Sequence, residues 1–379
     1  MSLITNTASN NIDKSKLTPL DAIPSDIVSA ADYERYARDY INDAAWAYLQ
    51  GGAADELTLT ANEKAWKTLE LWPRALADVR DGNTRCTLFG DTLAHPIILA
   101  PVATQRVFHA EGESASVLAA GVMGGVAIVS TQASISLEKL AENAQGPLWF
   151  QLYWQGSREA TLNLVKRAES AGYRALVLAI DAPISGARNR EQRAGFAVSA
   201  DAAQVNVTPI TLPLLQDGMS VIFDGLMTLA PVWADIQWLV NQTNLPILLK
   251  GILHPDDARR AVEAGAAGIV VSNHGGRVLD TVPATLSALS GVVNAVNGAV
   301  PILVDGGIRR GTDIVKARAL GATAVMIGRP YIHALATAGA LGVAHLIRLL
   351  REELEIAMAL TGCKTLDDIN KDVLRKDLI

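Results

Sequence analysis

The chain has 379 residues, half of them hydrophobic and 19% charged, a balance that builds an extensive core and excludes long disorder outside the termini. A net charge of −6 with no basic run argues against a nucleic-acid surface, so any anion has to be met by a local cationic pocket. Two cysteines, Cys86 and Cys363, stand far apart, which excludes a disulfide framework and offers no zinc spacing or other metal site; a reducing, cytoplasmic setting is expected.

Residues 1–30 are expected to be loosely ordered: the first 20 are polar, without a leader pattern. No run approaches the roughly 18 uninterrupted apolar residues of a bilayer span, so no membrane insertion is expected. Helices are predicted over 31–50, stopped by Gly51 and Gly52, and over 56–66; residues 31–95 read as a helical cap. Eight short β-branched runs follow, at 96–99, 126–129, 148–153, 175–180, 246–249, 268–271, 301–304 and 323–327. Helical segments such as 157–170, 255–264 and 311–320 separate them.

This rhythm predicts an α/β fold, a (β/α)8 TIM barrel over 96–379 with an N-terminal helical extension, the whole of 31–379 forming one domain. A doubly wound open sheet is the alternative, but eight strands close, and Ala100-Pro101-Val102-Ala103 stands where a dinucleotide fold needs its glycine-rich turn. The longest gap between strands, 185–245, contains one helix candidate at 233–241 and reads as a lid-like connection after strand four. A closing helix is predicted over 342–361.

Barrel enzymes assemble their sites from the loops that follow the strands. Here the strand ends offer, in order, Pro101, Val102 and Ala103; Ser130 and Gln132; Gln151 and Tyr153; Asp181; Lys250; Ser272, His274 and Arg277; Asp305, Gly306, Gly307, Ile308 and Arg309; and Gly328 with Arg329. Singly, each has an ordinary structural role, as a helix cap, a surface ion pair or a backbone partner. Together they crowd one rim. The last two groups combine bare backbone N–H with guanidinium and predict a phosphate site, with plain glycine turns as the competing reading. His274 can act as a base near neutral pH and Arg277 can fork onto a carboxylate, while a structural histidine bonded to Asp181 is the competing view.

The strip Ser272-Asn273-His274-Gly275-Gly276-Arg277, with Leu279-Asp280 and Pro283-Ala284-Thr285 beyond it, closely resembles the signature of the FMN-dependent L-2-hydroxy-acid oxidases, the family of glycolate and lactate oxidases. The likeness continues through Tyr48 with Gly51-Gly52-Ala53, Trp149 to Tyr153, Lys250-Gly251, Asp305 to Gly311 and Gly328-Arg329-Pro330. It implies oxidation of a small L-2-hydroxy acid, lactate first, with FMN as cofactor, O2 as the second substrate and a homotetramer as the assembly. It further implies that Tyr48, Arg188 and Arg277 grip the substrate carboxylate, that His274 takes a proton, that Asp181 orients His274 and that Tyr153 bonds the substrate hydroxyl. The FMN contacts carried over are Pro101, Val102, Ala103, Ser130, Gln151, Lys250 and Ser272 around the ring, and Asp305, Gly306, Gly307, Ile308, Arg309, Gly328 and Arg329 towards ribityl and phosphate.

Three positions depart from the family pattern: Ala179 replaces a usual threonine, Val278 a glutamine, and Gln132 an aromatic residue over the substrate. Alternatives to the oxidase keep the first half-reaction but deliver electrons to a quinone or cytochrome, or decarboxylate the product as a monooxygenase. A non-catalytic flavin- or phosphate-binding barrel is the alternative from another class.

Overall fold

The computed structural model describes residues 18–207 and 212–375; the expectation for the first 17 residues lies outside them. The chain opens with a cap of three helices, α1 (Ala30–Tyr40), α2 (Asp43–Gln50) and α3 (Leu57–Thr68). The helix expected over 31–50 is therefore two. Ile41 and Asn42 break it: the extended backbone of Ile41 ends α1, and the Asn42 side chain accepts from the Ala45 N–H to start α2. Residues 86–93, inside the span expected as a helical cap, instead form the antiparallel hairpin β1 (Cys86–Leu88) and β2 (Asp91–Leu93).

Eight parallel strands then close into a barrel: β3 (Ile97–Leu99), β4 (Val126–Ser130), β5 (Leu148–Leu152), β6 (Ala175–Ala179), β7 (Ile247–Ile252), β8 (Gly268–Val271), β9 (Ile302–Val304) and β10 (Ala324–Ile327). Closure is made by β10 against β3, with Val325 opposite Ile97 and Ile327 opposite Leu99. All strand residues are buried except Gly251 of β7, because side chains fill the inside while helices cover the outside.

The covering helices are α4 (Glu113–Val122), α5 (Leu137–Glu142), α6 (Arg158–Ser170), α7 (Asn189–Arg193), α8 (Trp233–Val240), α9 (Pro255–Glu263), α10 (Thr285–Val296), α11 (Gly311–Ala319) and α12 (Arg329–Thr361). The closing helix thus begins at Arg329, with Pro330 in its first turn, and not at 342. Non-helical backbone at Ala338 and Gly339 kinks it, leaving a short N-terminal piece seated on the barrel rim. By length and composition α12 could cross a bilayer, but 67% of its most apolar stretch is buried inside the protein.

Strand β7 runs further than the sequence pattern indicates. A register shift between Lys250 and Ile252 carries it through Gly251, so Lys250 lies within the strand. Gly251 has φ +111°, and a Cβ there would stand 2.3 Å from that of Asp181, so only glycine lets β7 pass the carboxylate.

The cap is tied to the rim by polar groups. Asp280 accepts from the backbone N–H of Asp55, Leu57 and Thr58, capping α3 from the loop after β8. Asn62 and Asn273 exchange two side-chain hydrogen bonds of 2.8 Å, and Trp66 donates its indole N–H to the Gly306 carbonyl. Asn273 of the signature strip and Asp280 just beyond it therefore position the cap. The connection between β6 and β7 holds only α7, α8 and single-turn pieces among its described residues, and it leaves Leu214 and Phe223 exposed.

Candidate active site

The end of β8 brings the proton-handling groups together. His274 has φ +57°, a left-handed backbone rare for a residue with a Cβ, and its N–H donates to the Ser272 hydroxyl. That turn aims the ring so that Nδ1 lies 3.1 Å from Asp181 Oδ1 and Nε2 3.4 Å from the Tyr153 hydroxyl. Burial pushes the Asp181 carboxyl up, but the Lys250 ammonium and His274 outweigh it and hold the group below its usual range. An ionised Asp181 accepts from Nδ1–H, which assigns the free lone pair to Nε2. Burial raises the Tyr153 phenol to about 12, so it stays a donor at neutral pH.

Two arginines flank this chain of groups. Arg277 donates through Nη1 to the carbonyls of Tyr48 and Gly51, and its guanidinium stands 4.9 Å from the Tyr48 ring centroid. Arg188 comes from the connection, where Glu191 accepts from it at 3.1 Å. Tyr48 itself is stacked on Phe196 of the connection, centroids 4.3 Å apart, with Phe108 on the barrel rim at 6.2 Å. Glu191, Phe196 and Phe108 are neighbours that sequence reasoning passed over; the one available signal was Glu191 three residues beyond Arg188, the spacing that pairs charges on a helix.

A second cluster is built for a polar guest. Lys250 donates to Ser272, Ser272 donates to Asp305, and Lys250 stands 3.4 Å from Asp305. Burial opposes the Lys250 charge, yet Asp305 and Asp181 outweigh it and raise its pKa, so it remains an ammonium. Ser130 and Thr131 both donate to Gln151 Oε1, which leaves Gln151 Nε2 as a buried donor with no partner; Asp305 Oδ1 and Asp181 Oδ2 are likewise buried and unpartnered. Buried polar atoms of this kind call for a ligand. Pro101, Val102 and Ala103 lie half-buried on the same rim.

The third cluster gathers Arg309, Arg329 and Arg277. Arg329 donates to the carbonyls of Leu49, Gly51 and Gly275, and Arg309 pairs with Glu63 at 2.6 Å. Burial, then Arg277 and Arg309, bring the Arg329 guanidinium down to about 9, a cation short of counter-charge. A Cβ on Gly328 would have no neighbour closer than 4.0 Å, so its bare backbone faces open space at the start of α12. The glycines after β9 answer to the protein instead: a Cβ on Gly307 would come within 2.3 Å of the Asn62 carbonyl, so here glycine lets α3 dock. Ile308 is buried in the core.

Unpartnered donors and acceptors, a buried ammonium, an open glycine and an under-compensated guanidinium therefore fit a phosphorylated ring cofactor along one side of the rim. Among the described residues no group of side chains forms a metal site. The fold and site define a barrel that holds an organic phosphate cofactor beside a base and a pair of arginines.

Comparison with known proteins narrows this. The chain belongs to the FMN-dependent dehydrogenase family, whose model matches residues 37–376, and its cofactor is FMN. It is 47% identical to an L-lactate oxidase of Alicycliphilus denitrificans, covering 94% of this chain and 99% of the relative. It is 42% identical to a peroxisomal (S)-2-hydroxy-acid oxidase of Oryza sativa subsp. japonica, over 91% of this chain and 94% of the relative. A crystal structure of mandelate oxidase with benzoyl-formic acid superposes with a TM-score of 0.83 at 42% identity, covering 92% of this chain and 98% of that one.

Proposed function

We propose that this chain oxidises small L-2-hydroxy acids, L-lactate foremost, to 2-keto acids and delivers the electrons to O2 as hydrogen peroxide. The observation that carries the reading is the aligned series Tyr153, His274 and Asp181 opening beside two arginines, in a chain 47% identical to an L-lactate oxidase.

In this reading Arg277 and Arg188, with Tyr48, hold the substrate carboxylate, and Tyr153 donates to the hydroxyl oxygen. His274 Nε2 accepts the proton lost as the acid is oxidised, and Asp181 stabilises the imidazolium so formed. Gln151, Ser130, Lys250, Ser272 and the backbone of Pro101, Val102 and Ala103 would hold the ring and Asp305 the ribityl chain; Arg309, Gly328 and Arg329 would meet the phosphate, while Gly306, Gly307 and Ile308 would shape that end through their packing against α3 and the core. Bound there, FMN would supply a two-electron acceptor that O2 can reoxidise, and the Lys250 ammonium would offset negative charge developing on the ring. The absence of an aromatic side chain at Gln132 supports an open pocket for the acid's side chain. The reading extends to a homotetramer in the cytoplasm, carried by the family resemblance; the molar mass in solution, read by light scattering, tests the assembly.

The test is the yield of hydrogen peroxide per L-lactate consumed in air by the FMN-loaded protein. A one-to-one yield with pyruvate is expected. Acetate with little free peroxide would assign a monooxygenase instead.

A further inference from the structure

The two arginines assigned to the substrate carboxylate are bridged by a carboxylate of the protein. Glu191 Oε2 lies 3.1 Å from Arg188 Nη1 and 3.7 Å from Arg277 Nη2. All three side chains are largely buried, at 24%, 21% and 17% exposure for Arg188, Glu191 and Arg277. Each arginine also has a protein partner away from Glu191: Arg277 Nη1 is held by the Tyr48 and Gly51 carbonyls, and Arg188 Nη2 by Ser185 at 3.3 Å.

Two buried guanidiniums repel each other, and Arg188 bears on Arg277 in this way. Glu191 offsets that repulsion and leaves the trio with one net positive charge. The next cations are already committed: Arg329, which shares the Gly51 carbonyl with Arg277, is assigned to the cofactor phosphate, and Lys250 is flanked by Asp305 and Asp181. Glu191 sits on α7, which is joined to the cap by the Arg190–Glu56 ion pair and by the Ala54 N–H to Ala187 carbonyl bond, so its carboxylate is held in place from outside the site.

We propose that Glu191 is a positioning residue that fixes the arginine pair and matches its charge to a single carboxylate, so that the site takes monocarboxylic 2-hydroxy acids and disfavours 2-hydroxydicarboxylic acids. The inference rests on the reading of Arg188 and Arg277 as the carboxylate clamp. A second carboxylate in the pocket meets Glu191 with no cation left to balance it, whereas a monoanion neutralises the trio.

The experiment titrates acetate and oxalate into the FMN-loaded wild type, Glu191→Gln and Glu191→Asp, following the flavin absorbance. Coulomb energy scales with ligand charge, so removing one nearby negative charge raises dianion affinity by about the square of its effect on a monoanion. Glu191→Gln should therefore shift the oxalate-to-acetate affinity ratio towards oxalate by about threefold to tenfold. Glu191→Asp should restore the wild-type ratio, although a merely structural loss would move both anions alike. An unchanged ratio in Glu191→Gln overturns the proposal. Loss of flavin reduction by every 2-hydroxy acid in the wild type would instead overturn the oxidase reading, which separates the two failures.

Discussion

The same eight strands end in two different chemistries. At their C-terminal ends lie charged groups, Asp181, Lys250, Asp305 and four guanidiniums, with single polar atoms of Asp181, Asp305 and Gln151 left unpartnered and His274 in a left-handed backbone. At their N-terminal ends the charged groups are held by the protein itself, Arg174 by Asp91 at 3.1 Å and Arg318 by the Thr323 carbonyl and Asp367, and the rest is apolar or neutral packing. Phe89, at the tip of the hairpin between β1 and β2, meets Trp149 of β5 edge-on at 5.4 Å, and a Cβ on Gly268 of β8 would touch its ring, so one side chain spans the lower mouth. His95 is fully buried there, its Nδ1 accepting from the Ile97 N–H. The lower end is filled by side chains, although His95 Nε2, Trp149 Nε1 and Arg318 Nε are buried there without partners, and the upper end gathers the charged groups and open backbone that a ligand meets; a substitution should therefore act mainly on stability at one end and on activity at the other.

The sharpest break in that comparison comes from His274→Ala, which should lower the rate of flavin reduction by about 10³-fold or more while leaving the yellow colour and the melting temperature near wild type. Asp181→Asn should cost about 10²–10³-fold in the same stopped-flow measurement, because the imidazolium loses its buried counter-charge.

Acid should strike the lower end. Burial, with Arg351 next, depresses the His95 imidazole from 6.5 to about 4. Below pH 6.5 the unfolded chain takes up a proton that the folded one refuses. Stability is thus complete above that pH and falls towards pH 4, by on the order of 3 kcal/mol at this site. His333, buried beside Arg309 and Arg329, is depressed as well and adds to the same slope. Melting curves from pH 7 to 4.5 should show a shallower decline for His95→Gln, with activity at pH 7 retained.

Phe89→Ala should lower stability by about 2 kcal/mol, less than a fully buried phenylalanine because the ring is only half-buried, and leave flavin reduction unaltered. Arg277→Lys is the mildest change at the upper end: an ammonium cannot hold two carbonyls and a carboxylate at once, and KM should rise about tenfold with a smaller change in kcat.

The sequence made the barrel itself legible, because buried parallel strands must be short β-branched runs and their number decides closure. It was less informative where one residue serves two elements. Asn42 interrupts a helical pattern by its side-chain cap, which periodicity does not register. The β-branched run ends at 249, yet β7 continues through Lys250 and Gly251 by a bulge beside Asp181. The closing helix is expected only from 342, although Pro330 sits in the first turn of α12 and the non-helical backbone at Ala338 and Gly339 only kinks it.

The site was legible as a set of residue types at strand ends, and the structure brings His274, Asp181, Tyr153, Arg277 and Arg188 together. Glycines after β9 pointed to an anion, whereas Gly307 answers to the packing of α3. Glu191 was hidden in a polar segment, because nothing local distinguishes a carboxylate that bridges two arginines from one on a solvated helix.

The most direct test of the account is anaerobic bleaching of the bound flavin by L- and D-lactate in the wild type and in His274→Ala. Rapid bleaching by L-lactate alone, lost in the variant while the flavin is retained, is the predicted result. Equal bleaching by both hands, or near-normal bleaching in His274→Ala, would contradict the role given to the Tyr153, His274 and Asp181 series.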